Sequence, residues 1–214
     1  MSKFDQITYT SEIQRKSIHI VSMLIPIIYF FIDTKTALLI LFPMTIITIL
    51  IDVSLYYSES FRKLAYPFLG GMLRPHERHR TSLVLNGASW VMIAACITIA
   101  VFPKSLAIIG YSIVILSDIA AALIGRKYGT TPFLDKSLQG SMAFFFVSLF
   151  VSAIWTVVFD FTFHFFAITV IGSLIATVAE ASTTRLKLDD NLAVPLSFAA
   201  ITWLLSGIFS ISLS

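Results

Sequence analysis

Charged residues are scarce in this chain, and cysteine is almost absent. Only 13% of the 214 residues are charged, whereas soluble globular proteins average about a quarter. The single cysteine, Cys96, lies in an apolar run, which excludes an intrachain disulfide and favours a structural thiol over a metal or redox site. The shortage of charge argues against a soluble domain and favours an integral membrane protein.

Long apolar runs fill the chain instead. Hydrophobic residues make up 57% of the sequence. A helix needs roughly 20 apolar residues to cross a bilayer core of about 30 Å. This length predicts about seven transmembrane helices, at about 17–32, 36–57, 82–102, 105–124, 140–159, 161–180 and 192–212. We therefore expect an all-α, polytopic membrane helix bundle that forms a single membrane-embedded catalytic domain over residues 1–214.

Basic residues are distributed unevenly between the predicted connectors. Of the 15 lysines and arginines, only Lys35 and Lys104 fall on the side of the membrane opposite to the rest. Because cytoplasmic loops are rich in Lys and Arg, this bias predicts a cytoplasmic N-terminus and an external C-terminus. The net charge of +3 is modest, and the basic residues lie between the spans. This placement suggests that they orient the protein in the membrane and contact phosphate, and it argues against nucleic-acid binding. The longest connector, 58–81, predicts either an interfacial helix broken at Gly70-Gly71 or a solvated loop.

Four polar clusters fall on this predicted cytoplasmic side, and the first precedes the first span. Its members are spaced at i, i+3, i+4 and i+7 and so share one helix face: Glu12, Arg15, Lys16 and His19. Such a face suits phosphate binding, with Glu12 orienting the guanidinium of Arg15. The alternative is that the two basic residues anchor the span and pair with Glu12, while His19 packs in the interior.

The second cluster is the charged segment 74–80, which leads to Asn86-Gly87 at the start of the third predicted span. A buried amide needs hydrogen-bond partners inside a membrane. We therefore expect Glu77 or Asn86 to reach a shared polar pocket. The alternative is an ordinary charged cytoplasmic loop.

The third cluster, 117–141, places an acid inside an apolar segment. Asp118 lies seven residues before Gly125, which is roughly 10 Å along a helix at 1.5 Å per residue. An ionisable residue at that depth indicates a functional site. Glycines and basic residues that suit phosphate binding follow it: Gly125, Arg126, Lys127, Gly129, Lys136 and Gly140. We expect Gly140 and Ser141 to present free backbone N–H groups to an anion. The alternative is a glycine-containing turn with membrane-anchoring bases.

The fourth cluster consists of Glu180 at the inner end of the sixth span and the acidic run that precedes the seventh. Its members are oxygen donors of the kind that hold Mg²⁺ beside nucleotide phosphates: Glu180, Asp189, Asp190 and Asn191. The alternative is that the run 189–191 caps the seventh helix, since acidic residues favour helix N-termini. Capping does not exclude metal binding.

Taken together, the clusters resemble the CTP-dependent lipid-alcohol kinases, which include dolichol, phytol and farnesol kinases and the CTP-using diacylglycerol kinase. The family's E-x-x-R-K-x-x-H is similar to 12–19, and its central GD, A, GR, G, KS and GS pattern is similar to 117–141. Its late pattern, Glu followed by D-D-N-x-x-x-P, is similar to Glu180 and 189–195. Ser117 stands where the family usually has glycine, so a small residue remains at that position.

The resemblance implies a membrane enzyme that transfers the γ-phosphate of CTP to the hydroxyl of a polyprenol, dolichol, phytol or diacylglycerol, with Mg²⁺, at the cytoplasmic face. It implies catalytic or phosphate-binding roles for Arg15, Lys16, Gly125, Arg126, Gly129, Lys136, Ser137, Gly140 and Ser141. Asp118 is implied either as a metal ligand or as the base for the lipid hydroxyl. Further implied metal ligands are Glu180, Asp189, Asp190 and Asn191, and supporting roles fall to Glu12, His19, Glu77 and Asn86.

Two other functions compete with this interpretation. A phosphatidate cytidylyltransferase uses the same nucleotide and metal in a membrane, but its K-D and H-G-G before D-R signature is missing from this sequence. A small membrane transporter requires polar residues through the depth of the membrane and on both sides. The polar clusters here are confined to one side, which favours the kinase.

Overall fold

A computed structural model of the protein describes residues 19–69 and 83–213. Within these ranges the chain forms α1 (Leu24–Phe31), α2 (Thr34–Tyr57), α3 (Glu59–Leu69), α4 (Gly87–Val101), α5 (Lys104–Tyr128), β1 (Pro132–Phe133), β2 (Lys136–Ser137), α6 (Leu138–Val158), α7 (Phe163–Ala181), α8 (Thr183–Leu186) and α9 (Asp190–Ile208). The two short strands pair as an antiparallel hairpin, with Phe133 opposite Lys136. Every other regular element in the described part of the chain is helical.

Five of the helices, α2, α5, α6, α7 and α9, are long and apolar enough to cross a membrane. Two further apolar helices are shorter, namely His19–Phe31, which includes α1, and α4. The predicted all-α, polytopic membrane bundle is therefore confirmed, and each predicted span contains a helix. The first and third are shorter than predicted, because a turn interrupts the helix at 22–23 and the Asn86 side chain caps α4 just before Gly87. The number of spans, seven, stays a prediction.

Helix α5 lies at the centre of the bundle. Of its most apolar window 67% is buried inside the protein, compared with between 22% and 44% for the other four long helices. Helices α1, α4, α6 and α9 pack around it. Because exposed apolar faces in a membrane meet lipid, the helix with the fewest exposed positions is the one enclosed by protein. Any acid carried by α5 is thereby held away from lipid.

Small and hydroxyl-bearing residues line the contacts between the spanning helices. Ser112, Ser148 and Thr177 are buried and donate to the carbonyl oxygens of the preceding turn of their own helices. Gly172 in α7 faces Thr202 and the ring of Phe198 in α9, at distances that leave no room for a methyl group. Small residues at such contacts let membrane helices approach closely. The bundle is therefore packed tightly around α5.

The connector predicted to contain an interfacial helix begins with α3. Lys63 Nζ pairs with Glu59 Oε1 at 2.9 Å one turn away, and both side chains are exposed. The guanidinium of Arg62 donates to the carbonyls of Leu55 and Tyr56 at the end of α2. The helical part of that prediction is confirmed up to Leu69, and the break at Gly70-Gly71 lies outside the described residues. Its position at the membrane surface stays a prediction.

Chain turns bring four helix ends together. Helix α5 ends at Tyr128, the β1–β2 hairpin follows, and α6 begins at Leu138. Helix α7 ends at Ala181, the short α8 follows, and α9 begins at Asp190. Helix α5 packs against α6, helix α9 packs against α7, and α5 and α9 pack against each other. The two connectors 129–137 and 182–189 therefore meet at one end of the bundle.

Candidate active site

A polar cavity of about 790 Å³ opens at this end of the bundle. Its walls are the last turns of α5, the hairpin, the end of α7, α8 and the start of α9, with Trp90 from α4 on the remaining side. Among the described residues, eight ionisable side chains line it: Asp118, Arg126, Asp135, Lys136, Glu180, Lys187, Asp189 and Asp190. The third and fourth sequence clusters, predicted separately, thus contribute to a single cavity.

An ion pair between the hairpin and α7 lies in this cavity. Lys136 Nζ is 2.9 Å from Glu180 Oε1, and the side chains are 36% and 2% exposed, respectively. Burial lowers the pKa of Lys136, but the negative charges of Glu180, Asp190 and Asp118 outweigh it and hold that pKa above its ordinary value. Lys136 is therefore a cation at any physiological pH. Its positive charge lies next to the buried carboxylate of Glu180.

The second oxygen of Glu180 is the most informative atom of the site. Glu180 Oε2 is buried, and it makes no hydrogen bond with any residue that the structure describes. A buried polar atom left without a partner is destabilising by about 1–3 kcal/mol, so native proteins keep few of them. The carboxylate also lines the cavity. An oxygen in this position is suited to bind a ligand or a cation.

Asp118 is buried in the wall of the cavity formed by α5. His19 Nε2 lies 4.0 Å from Asp118 Oδ2, which is too long for a hydrogen bond but close enough for an electrostatic contact. His19 is the last member of the first sequence cluster, so that cluster approaches the cavity at this residue. Four of the other residues predicted in the first and second clusters lie outside the described residues: Glu12, Arg15, Lys16 and Glu77.

The glycines of the third cluster bring two helices together. A methyl group on Gly140 would lie 3.2 Å from Gly125 Cα, and one on Gly129 would collide with the Gly125 carbonyl oxygen and the Ser137 side chain. Gly125 and Gly140 line the cavity, whereas Gly129 does not. The glycines therefore allow a close backbone approach between the end of α5 and the start of α6.

The prediction of free N–H groups at the start of the fifth span is wrong for Gly140. Its N–H donates to Ser137 Oγ at 3.2 Å, because Ser137 is the N-cap of α6. Ser141 is buried and does not line the cavity. Ser137 itself does line it, next to Lys136. The start of α6 thus reaches the cavity through its cap, Ser137, and through Gly140, whose N–H is already bonded to that cap.

The capping alternative for the acidic run 189–191 is confirmed. Asp189 is the N-cap of α9, and its Oδ1 accepts from the backbone N–H of Asn191 at 3.0 Å and from the Asn191 amide at 2.7 Å. Asp189 and Asp190 also line the cavity. Asn191, predicted as a metal ligand, does not line it, because its amide points back to the two acids before it.

Asn86 belongs to a different polar cluster and does not line the cavity, so of the two residues predicted to reach a shared pocket it is not the one; Glu77 lies outside the described residues. Its amide donates to Asp52 Oδ1 at 2.7 Å and its backbone N–H to Asp52 Oδ2 at 2.9 Å. Ser89 Oγ donates to the same Oδ2 at 2.7 Å. Asn86 Oδ1 in turn caps α4 by accepting from the N–H groups of Ala88 and Ser89. This Asp52 cluster (Asp52, Asn86 and Ser89) joins α2 to α4.

Two charged residues that line the cavity, Asp135 and Lys187, escaped the sequence interpretation, as did Arg185, which pairs with Asp135. Asp135 lies in the connector 129–137, and the other two lie in the connector 182–189. Their signal in the sequence was weak, because charged residues in a connector are ordinary. Asp52 carried a stronger one, since it is a lone acid inside an apolar run, as is Asp118. Among the described residues, no group of three or more His, Cys, Asp or Glu side chains is arranged to hold a metal ion.

These features define a multi-pass membrane protein whose cavity combines buried carboxylates with cations. The chain belongs to the same family as the uncharacterized protein RP860 of Rickettsia prowazekii, to which it is 35% identical over 191 residues, or 89% of this chain and 93% of that protein. No protein-family model and no solved structure matches the chain.

More distant relatives have names that state an activity. CTP-dependent diacylglycerol kinase 1 of Schizosaccharomyces pombe is 28% identical over 166 residues, which cover 72% of this chain and 74% of that protein. The protein of the same name from Saccharomyces cerevisiae is 34% identical over 107 residues, 49% of this chain and 36% of that protein. The chain is thus a distant homologue of CTP-dependent lipid kinases, which confirms the resemblance of the motifs at this level.

Proposed function

We propose that the protein is a membrane lipid kinase that transfers the γ-phosphate of CTP to the hydroxyl of a lipid alcohol, with Mg²⁺ as its cofactor. The homology to CTP-dependent diacylglycerol kinases supports the nucleotide and makes diacylglycerol the first acceptor to test. The observation that carries the proposal is the single cavity that holds Lys136, the buried Glu180 and Asp118 together.

The cavity meets the main demand of phosphoryl transfer, which is to position a triphosphate and neutralise its charge. Lys136, Arg126 and Lys187 line it from three different segments. Its volume, about 790 Å³, lies within the roughly 300–1,000 Å³ of small-molecule sites. We assign Lys136 to the phosphates, because its pKa is raised and its charge is therefore retained.

The carboxylates of the cavity fit Mg²⁺ as a cofactor. Glu180 Oε2 is buried without a partner among the described residues, and Asp118 and Asp190 line the same cavity. Mg²⁺ is usually held by one or two carboxylates together with substrate phosphates, so a group of three protein ligands is not required. When bound, the ion neutralises charge on the phosphates. We assign Glu180 and Asp190 as the residues that would hold it.

Asp118 is the residue that we assign to the lipid hydroxyl. It lines the cavity from α5, one helical turn before Ala121 and Ala122, which also line it, whereas Glu180 is already paired with Lys136. In the proposed reaction the hydroxyl oxygen attacks the γ-phosphorus, the bond from that phosphorus to the β–γ bridging oxygen breaks, and CDP leaves. The hydroxyl proton passes to the Asp118 carboxylate.

The cavity lies at the end of the bundle where the connectors carry most of the basic residues. By the preference of Lys and Arg for cytoplasmic loops, this end faces the cytoplasm, where CTP is available. The lipid reaches it sideways from the bilayer, with its chains against the apolar helix faces. The lipid substrate therefore comes from the bilayer, whereas CTP comes from the aqueous phase.

Product identification tests the proposal directly. Purified protein in detergent is supplied with Mg²⁺, with CTP, ATP or GTP labelled at the γ-phosphate, and with diacylglycerol, phytol, farnesol or a polyprenol. We expect label in the lipid, release of CDP, and loss of turnover with a chelator. Pyrophosphate release with a cytidylyl group on the lipid would instead identify a cytidylyltransferase. Absence of transfer to every alcohol tested would overturn the kinase.

A further inference from the structure

We propose that Asp135 and Arg185 form a clamp that holds Lys136 in place on Glu180. In this proposal Asp135 is a positioning residue, acting on the site through its neighbour Lys136. The clamp is defined by these two side chains, one on the hairpin and one in α8.

Besides the ion pair of Lys136 with Glu180, four contacts join the hairpin to the end of α7 and to α8. Arg185 Nε lies 2.8 Å from Asp135 Oδ1, and the Arg185 backbone N–H donates to Asp135 Oδ2 at 2.9 Å. Arg185 Nη2 donates to the Leu134 carbonyl at 3.3 Å. The Asp135 N–H donates to the carbonyl of Ala181 at 2.9 Å. Both carboxylate oxygens of Asp135 are thus engaged by one residue, which fixes the orientation of its side chain.

The clamp and the ion pair connect the same two segments of the chain. Asp135 immediately precedes Lys136, and Ala181 immediately follows Glu180. The hydrogen bond from Asp135 to Ala181 therefore fixes the backbone one residue away from each partner of the ion pair. A lysine side chain is long and flexible, so its head group stays in one position only if the backbone from which it starts is held.

The hairpin cannot provide this rigidity alone. Each of its strands has two residues, and an isolated two-stranded hairpin is marginally stable in water. Leu134 at its turn has a φ of 51°, a left-handed conformation that is unfavourable for leucine. The conformation of the hairpin must therefore be held by contacts from outside. The clamp supplies such contacts at Leu134 and at Asp135.

The clamp is expected to orient Lys136 without adding much to the stability of the fold. The Arg185 side chain is 61% exposed and that of Asp135 is 12% exposed. Ion pairs that solvent reaches contribute little to folding, whereas a guanidinium bound at two points restricts geometry. Loss of the clamp should therefore change the behaviour of Lys136 more than it changes unfolding.

Competitive amine labelling tests the clamp without any assumption about the reaction. The rate at which an amine reagent modifies Lys136 is measured by mass spectrometry, relative to the exposed Lys127 in the same molecule. We expect this ratio to rise several-fold in Asp135→Asn and to a similar level in Glu180→Gln. The matched control is Glu59→Gln, which removes the exposed ion pair with Lys63 and should leave the ratio unchanged. An unchanged ratio in Asp135→Asn would overturn the clamp.

A kinetic test rests on the proposed function. With CTP and Mg²⁺, Asp135→Asn should raise KM for CTP several-fold, and Arg185→Gln should do the same. In a Lys136→Gln background the Asp135→Asn substitution should have little further effect, because residues that act through one another are not additive. Effects that multiply in the double variant would overturn the positioning role. If the wild-type protein transfers no phosphate, the proposed function fails, and the labelling ratio still decides the clamp.

Discussion

Two acids buried in the membrane bundle, Asp52 and Glu180, differ in how many of their carboxylate oxygens are hydrogen-bonded by the protein. Asp52 is 0% exposed, and its two carboxylate oxygens accept three hydrogen bonds from Asn86 and Ser89. Glu180 is equally buried, but one oxygen is paired with Lys136 and the other has no hydrogen-bond partner among the described residues. Burial alone therefore does not separate the two acids. We propose that Asp52, whose oxygens the protein satisfies, is structural and that Glu180, with one oxygen left over, is functional.

The difference follows from where each acid lies along its helix. Asp52 faces the capped start of α4, where a helix N-terminus offers backbone and side-chain donors. Glu180 lies at the last turn of α7, where carbonyl oxygens and not N–H groups are unpaired. The end of α7 supplies no second donor to Glu180, which supports the proposal that a cation or a ligand binds there. This comparison predicts that substitutions in the two regions have separable consequences.

The largest expected effect is the loss of catalysis in Asp118→Asn. The amide cannot accept the hydroxyl proton, and general acid–base groups contribute roughly 100- to 10,000-fold to rates. We expect a loss of this size in the initial rate of CTP-dependent lipid phosphorylation. The melting temperature in detergent should stay within error of the wild type. Retention of full activity would remove Asp118 from the assigned site.

The second prediction is a loss of stability with no loss of activity. In Asp52→Asn, one of the donors in the Asp52 cluster loses its acceptor, and a buried unsatisfied polar group is destabilising by about 1–3 kcal/mol. The free energy of unfolding should fall by that amount, while the rate per folded molecule stays at the wild-type level. Denaturant titration with parallel initial-rate assays measures both. A variant with normal stability and reduced turnover would show that Asp52 is not a structural acid.

The sequence predicted the bundle well because the signal for a membrane helix is strong. A run of about 20 apolar residues has few alternatives in a bilayer, so each predicted span contains a helix. The two short helices were predicted too long, because a turn at 22–23 and the side-chain cap of Asn86 depend on local geometry and not on hydrophobicity. Hydropathy alone does not show where a helix is capped.

The site was predicted in part. Asp118, Lys136 and Glu180 were recognised as candidates, and they line one cavity. The partner of Asn86 was not predicted, because Asp52 lies 34 residues away and pairing across helices cannot be read from spacing. Asp135 was missed for the same reason, since its partner Arg185 is 50 residues away.

Two glycine substitutions, Gly129→Ala and Gly207→Ala, test the close contact between α5 and α6. In Gly129→Ala the new methyl group meets the Gly125 carbonyl and the Ser137 side chain. Overpacking of this kind is destabilising by about 1–3 kcal/mol, and it should also slow turnover by moving Ser137. The matched control is Gly207→Ala in α9, where no heavy atom lies within 4 Å of the added carbon. Equal melting temperatures for the two variants would contradict the close contact between α5 and α6.

The smallest expected effect concerns the pH dependence of the clamp. Burial raises the pKa of Asp135, but hydrogen bonds and charge from Arg185 outweigh it, so that the pKa lies below its ordinary value of about 3.9. A lowered pKa gives a stabilising contribution that is complete above the ordinary value and is lost as the pH falls through the lowered one. The difference in melting temperature between wild type and Asp135→Asn should therefore be small and constant from neutral pH to about pH 5. It should shrink only in stronger acid. A difference that disappears between pH 7 and pH 5 would mean that Asp135 is not held by Arg185, since a carboxyl with a lowered pKa remains fully ionised there.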